Sequence, residues 1–177
     1  ILFDTLDNIN FPTSGARFDA TGRMSDDKAG NTGGEYYYTL DALVPYSIDR
    51  WTLALSASMG RSTMSSAFSL GGARRLAGSP YGRWTGSRMQ YGRLSLARDI
   101  SGAFDALKQP IWLGVAAEAG RAWNPEAGPA DESAEAKWHY AGSLYVGIDS
   151  LIGPLFLSYG RTFGDESAFF FLWGRRD

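Results

Sequence analysis

His139, the only histidine, lies four residues before Ser143 and downstream of Glu118. Those are the group types of a hydrolytic triad: a hydroxyl nucleophile, a base to deprotonate it and a carboxylate to orient the base. Against this reading, a lone histidine between Trp138 and Tyr140 at the start of an alternating segment suits an interfacial position better than a catalytic one. No Gly-x-Ser-x-Gly elbow is present to present a serine on a strand-to-helix turn. The absence of Cys removes thiolate catalysis, disulfides and Cys-based zinc sites, and one His excludes a His-rich metal cluster. Asp26-Asp27 and Asp131-Glu132 lack the ordered spacing of a Ca²⁺ loop and read as solvated loop charges. The Gly-Gly pairs at 33 and 71 read as turn chemistry, because no helix follows to receive a phosphate. With 17 basic and 19 acidic residues, a net charge of -2 and no basic stripe, nucleic acid is not an expected partner. The expectation is a chain without metal, cofactor or catalytic centre of its own.

What would position any such residues is a series of eight alternating segments. Each runs to about ten residues or more, the length that crosses an outer membrane on a tilted strand, against about 5–6 for a mean soluble strand. No stretch approaches the roughly 20 consecutive apolar residues of a spanning helix, and the mean hydropathy of -0.22 fits strands whose alternate residues face a lumen. At 177 residues a single all-β domain is expected, an antiparallel transmembrane barrel with eight strands per chain. Residues 1–15 form an N-terminal stub and turn, and 61–85 a long loop.

In 51–60, Trp51, Leu53, Leu55, Ala57 and Met59 oppose Thr52, Ala54, Ser56, Ser58 and Gly60. In 111–120, Leu113, Val115, Ala117 and Ala119 read as outward, and Gly114, Ala116, Glu118 and Gly120 as inward. The segment near 86–98 is less regular, since Arg93 and Arg98 fall on opposite faces, which a bulge would repair. Connections alternate long and short except at the last hairpin, as expected for long external loops and short periplasmic turns. Tyr46, Trp51, Trp112, Trp123, Trp138, Tyr140 and Trp173 fall near segment ends, where an aromatic girdle sits.

Particular residues resemble a family. Phe68 to Gly72 (Phe-Ser-Leu-Gly-Gly), Leu76 to Gly78, Tyr81, Gly86 and Tyr91 to Leu94 are similar to the long inward-folding loop and following strand of the bacterial surface antigen superfamily. These are the barrels of outer-membrane assembly and two-partner secretion. Within it, the pieces at 4–8 and 11–15, Glu118 to Gly120, Gly153 to Leu155 and 169–175 look most like the C-terminal barrel of patatin-like phospholipases of type V secretion. The resemblance implies a membrane anchor in outer-membrane lipid, with insertion or translocation of a polypeptide client. It also implies that any lipase domain precedes Ile1. The loop residues Phe68, Leu70, Gly71, Gly72, Arg75, Gly78 and Tyr81 would be structural and gating residues. The chain departs from the family at Ala77-Gly78-Ser79, where an Arg-Gly-aromatic or Ser-Gly-Tyr triplet is usual, so anchoring falls to Arg74 or Arg75 with Glu118 or Asp149 as lumen partner. It departs again at Asp177, where such barrels usually end in an aromatic residue.

The family's barrels have sixteen strands, which raises a physical problem. An eight-stranded closed barrel has an interior just wide enough for side chains, and unpaired edges in lipid cost several kcal/mol per group. Three solutions stand: a small closed barrel with the loop outside, a homodimer forming one sixteen-stranded barrel, or completion by a missing barrel half.

Overall fold

The computed structural model describes residues 1–25, 34–104, 109–125, 137–164 and 166–174. The acidic pairs at 26–27 and 131–132 and the end of the chain at 175–177 lie outside the described residues. In chain order the strands are β1 (Leu2–Asp4), β2 (Arg17–Ser25), β3 (Glu35–Ile48), β4 (Trp51–Ser62), β5 (Phe68–Leu70), β6 (Trp84–Gly86), β7 (Arg88–Asp99), β8 (Ile111–Trp123), β9 (His139–Ser150), β10 (Gly153–Thr162) and β11 (Ser167–Trp173). All eight alternating segments are strands. Nine strands form one antiparallel sheet in the order β1-β2-β3-β4-β7-β8-β9-β10-β11, with β5 and β6 as a separate hairpin. The sequence reading missed β1, a three-residue strand inside the expected N-terminal stub, and the hairpin within the long loop.

Alternation decides which way each strand faces, because successive side chains point to opposite sides of the pleat. Along β4 exposed and half-buried residues alternate from Trp51 onward. In β8 the buried positions from 114 onward are Gly114, Ala116, Glu118, Gly120 and Ala122, with Leu113, Val115 and Ala117 exposed; Ile111, at the strand start, is buried out of phase. Leu40, Val44, Leu53, Leu55, Leu94, Leu144, Phe169 and Phe171 are large apolar side chains left exposed on the same convex face. A contiguous apolar belt of this size demands an apolar surrounding, and a bilayer supplies it.

Two details correct the sequence reading. β7 runs against β4 in unbroken register from Trp51↔Arg98 to Arg61↔Arg88, so no bulge rephases it. Arg98 instead sits at the strand end with its guanidinium 5.4 Å from the Trp51 ring centroid, where a long cation can stay outward at the interface. Trp112 does not belong to the girdle. It faces the concave side and stacks on Phe11 at 4.5 Å.

The tight turns follow from local chemistry. Between Ile48 and Trp51, Asp49 takes φ +53, a conformation that Asp tolerates better than most residues. The segment before β2 folds back on itself around Asp7, whose carboxylate accepts the N–H groups of Asn8, Thr13 and Ser14 at 3.0, 2.8 and 3.0 Å and the Thr13 hydroxyl. Burial pushes the Asp7 carboxyl up, but those donors outweigh it and hold the group below its ordinary 3.8. The folded turn therefore binds that proton less tightly than the unfolded chain. Its contribution to stability is complete above 3.8 and is lost as pH falls through the lowered value. Amide exchange at Thr13 and Ser14 should accelerate in that acid window and show no pH-linked loss of protection between roughly pH 6 and 8.

Candidate functional site: a loop folded into the barrel

Residues 62–84 leave β4 at the long-loop end and turn back onto the concave face. Leu70, Ala73, Leu76, Ala77 and Ser79 have 0% of their surface exposed. Phe68, Leu70 and Leu76 pack with Met89 and Tyr91 of β7, Ala122 of β8 and Ala141 of β9. Tyr37 stacks on Phe68 at 5.1 Å, and Trp84 on His139 at 4.0 Å. His139 thus faces the lumen under the loop, not the interface expected from its neighbours. His139 and Ser143 lie four residues apart on one extended strand, a Cα separation of about 13 Å, and Glu118 is engaged elsewhere, so the three are not assembled as a triad.

Glu118 is the anchor of the loop. It is 4% exposed, its Oε1 lies 2.6 Å from Nη1 of Arg93, and its Oε2 accepts the backbone N–H of Ala77 at 2.7 Å. Arg93 and Glu118 are directly opposite in the β7–β8 ladder, so the pair is made by the register itself. The Arg93 guanidinium also lies 5.5 Å from the Tyr145 ring centroid. The Tyr91 hydroxyl donates to the Arg74 carbonyl at 2.9 Å. On the far wall, Ser79 Oγ and Thr162 Oγ1 are 2.8 Å apart. Arg75 reaches Asp41 of β3 at 3.8 Å and Met89 Sδ at 3.2 Å. The loop is thereby tied to β3, β7, β8 and β10 together.

Close approach at the far wall is made possible by two glycines. Gly78 has φ +126, and a Cβ there would lie 2.5 Å from the Thr162 nitrogen; a Cβ on Gly160 would lie 2.4 Å from the Ala77 carbonyl carbon. Gly71 and Gly72 close the loop's own turns, their N–H groups donating to Arg75 and Ser79 carbonyls at 2.9 and 2.8 Å. Tyr81 lies over Gly72 but is 64% exposed, meeting Phe170 edge-on at 5.7 Å.

Of the residues singled out from sequence, Phe68, Leu70, Gly71, Gly72, Gly78 and Glu118 come together in this arrangement. Asp149 does not. Its carboxylate accepts from Asn8 Nδ2 at 3.2 Å, so it holds the N-terminal segment and not the loop. Nor does either loop arginine reach Glu118. The residue that does, Arg93, was visible in the sequence only as a break in the pattern, because its partner is set by strand register.

The N-terminal segment closes the opposite end of the lumen. Phe11 stacks on Trp112 above Gly147, where a Cβ would come within 2.1 Å of the ring, and Ser47 Oγ donates to the Thr13 carbonyl at 2.7 Å. Between this segment and the loop lies a cavity of about 110 Å³, lined in part by Asn10, Phe11, Pro12, Ala73, Arg74 and Arg93. Its other walls include Leu43 of β3 and Leu172 of β11, so the sheet curls around one interior. Phe11→Ala should enlarge that cavity, cost about 3 kcal/mol, the low end for a Phe→Ala change because the ring is only half-buried, and raise single-channel conductance in planar bilayers.

Interior occupancy bears on the three solutions posed by strand number. The loop is inside, which removes the small closed barrel with an external loop. Eight closed strands leave room for little more than side chains, and this interior also holds a loop and an N-terminal segment. Among the described residues β1 and β11 share no ladder with each other.

No family model and no curated protein matches the sequence. Among solved structures, the chain is similar to BamA from Haemophilus ducreyi lacking POTRA domains 1-3, with 18% identity and a TM-score of 0.79. The match covers 96% of this chain and 40% of that one, so this chain spans well under half of its structural neighbour. Sheet order, lipid-facing belt and the whole-chain superposition give the protein the fold of a bacterial outer-membrane β-barrel.

Proposed function

We propose that this chain is the loop-bearing half of an outer-membrane barrel of the surface antigen type, anchoring in lipid and admitting a polypeptide at its strand edges. The observation that carries the reading is the loop at 62–84, buried in the lumen and tied to four strands, in a sheet whose terminal strands share no ladder among the described residues. A lumen blocked by its own loop does not suit free diffusion of solutes. A sheet with unpaired edges suits capture of another strand, since main-chain donors and acceptors left bare in lipid cost several kcal/mol each until paired. The edges are completed by a second copy or by further strands of a longer protein.

The absence of Cys makes pairing directly testable. Phe3→Cys in β1 and Phe171→Cys in β11 should give, on oxidation in micelles, a disulfide between two copies and a particle of twice 19.3 kDa. A disulfide within one chain would show that the barrel closes alone. The insertion reading predicts that vesicles holding the chain accelerate folding of a urea-unfolded β-barrel client at least several-fold; folding at the rate of protein-free vesicles would reduce the role to anchoring.

Within the same superfamily, the pieces at 4–8, 11–15 and 153–160 favour a barrel that carries a patatin-like lipase. On that reading the isolated chain hydrolyses no ester, and a longer gene product does.

A further inference from the structure

The convex face carries, at its long-loop end, a feature that neither anchoring nor polypeptide capture requires. Arg61 of β4 stands directly opposite Arg88 of β7, and Gln90 of β7 opposite Arg121 of β8, on strand faces whose neighbours are the lipid-directed Met59, Leu94 and Ala119. Like charges placed opposite one another on adjacent strands destabilise the pair. Among the described residues none of these three arginines forms an ion pair. Arg61 and Arg121 are nevertheless held in place. The Arg121 guanidinium lies 4.4 and 4.9 Å from the ring centroids of Trp123 and Trp138, and its Nε donates to Gln90 Oε1 at 2.9 Å. Arg61 Nε donates to the Tyr36 hydroxyl at 3.1 Å.

Toward the middle of the membrane from this cluster, the outward face falls away. Ala42, Ala57, Gly92 and Ala119 stand in one cross-strand row over β3, β4, β7 and β8. They lie in a trough of about 650 Å³ whose rim includes Phe18, Leu40, Met59, Gln90 and Trp138. Nothing in the fold forces glycine at 92, since a Cβ there would meet only the Ser56 carbonyl oxygen, at 4.0 Å. Gln90 and Trp138 belong to the trough and also contact Arg121, so cationic cluster and apolar trough are continuous.

We infer that this surface binds a phosphate-bearing, multiply acylated lipid of the external leaflet, its phosphates on Arg61, Arg88 and Arg121 and an acyl chain along the trough. Charge complementarity selects the headgroup, because guanidinium pairs phosphate through two parallel hydrogen bonds and is weakly hydrated. An anion between Arg61 and Arg88 converts a repulsive cross-strand pair into a bridged one. The trough selects an acylated ligand over a free anion. The long-loop rim faces outward in such barrels, which places the site in the external leaflet. The inference depends on the membrane orientation alone and not on polypeptide capture.

The test uses the whole chain in uncharged maltoside micelles, with a diphosphorylated six-acyl disaccharide lipid as probe and native mass spectrometry as readout. Retention of lipid at low micromolar concentration is expected, at least tenfold weaker for Arg61→Gln/Arg88→Gln/Arg121→Gln and for the dephosphorylated lipid with the unmodified chain. The dephosphorylated arm keeps the question answerable if the triple variant misfolds. Gly92→Leu, which fills the trough, should weaken the acylated lipid at least several-fold. Equal retention of phosphatidylcholine, or of the dephosphorylated lipid, would overturn the headgroup assignment. Equal affinity for inorganic phosphate, or indifference to Gly92→Leu, would overturn the acyl-chain assignment. Strand-edge crosslinking by Phe3→Cys and Phe171→Cys is unaffected by either outcome, so failure here and failure of the capture reading are told apart.

Discussion

Arg93→Ala should lower the stability of the folded barrel by roughly 3–5 kcal/mol, the cost of leaving a buried partner charge uncompensated. The side chains of Arg93 and Glu118 are 10% and 0% exposed, and Glu118 also holds the Ala77 N–H of the loop. Removing the guanidinium therefore strands a carboxylate that cannot reach bulk water without pulling the loop away. Denaturant titration in micelles measures the loss, and trypsin measures its location. Arg74 is open to lumen water and Arg75 half-buried, but their backbone is pinned by the seated loop, where a protease cannot bind it in extended form; cleavage there should appear in the variant at protease levels that leave the parent chain intact. The double variant Arg93→Met/Glu118→Gln should recover much of the loss, because two neutral groups of similar volume carry no desolvated charge. A double variant as unstable as Arg93→Ala would mean that the arginine acts through packing, against Tyr145 for example, and not through the pair.

Gly78→Val is expected to expel the loop by a different route. Positive φ on a β-branched residue costs about 1–3 kcal/mol, and a Cβ 2.5 Å from the Thr162 backbone nitrogen forces two main-chain segments apart. Overpacking of that kind adds about 1–3 kcal/mol. The Ser79–Thr162 hydroxyl contact goes with it. Gly82→Val is the control, since Gly82 also has positive φ, +70, but nothing within 4 Å of an added Cβ. If seating of the loop against β10 is what matters, Gly78→Val opens the channel in planar bilayers and Gly82→Val does not. Equal effects would assign the loss to backbone strain alone.

Charge reversal separates the two carboxylates marked by the sequence. Glu118→Lys should release the loop and raise conductance. Asp149→Lys should instead loosen the N-terminal segment through Asn8, sparing the loop contacts on β7 and β8. Unchanged stability and conductance for Glu118→Lys would dispose of the latch.

The existence of the eight long strands, their facing and the membrane character were legible in the chain because they are local, whereas the three-residue strands β1, β5 and β6 were not. A period of two in side-chain character needs only neighbouring residues, and Leu53, Leu55, Ala57 and Met59 declare the lipid face of β4 without reference to any other strand. A tight turn after β3 was legible within 46–50, but its bounds were not, since the strand runs on to Ile48 and leaves only Asp49 and Arg50 to turn. Which residues meet across the lumen was not legible. Arg93 and Glu118 are far apart in sequence, and only the β7–β8 register puts them opposite; shifting that register by one residue would send one of them into lipid. For the same reason the loop arginines looked like the natural partners of Glu118, whereas its loop contact is a backbone N–H, which no side-chain pattern reveals. Gly78 and Gly160 belong to two segments with no sequence relation, and their meaning appears only where two backbones touch. Phe11, Trp112 and Gly147 likewise make one contact from three distant segments. The sequence by itself determined how each strand lies in the membrane, through hydrophobic alternation acting within a few residues; the tertiary structure alone decided what fills the lumen, because that depends on register, curvature and close packing summed over the whole sheet.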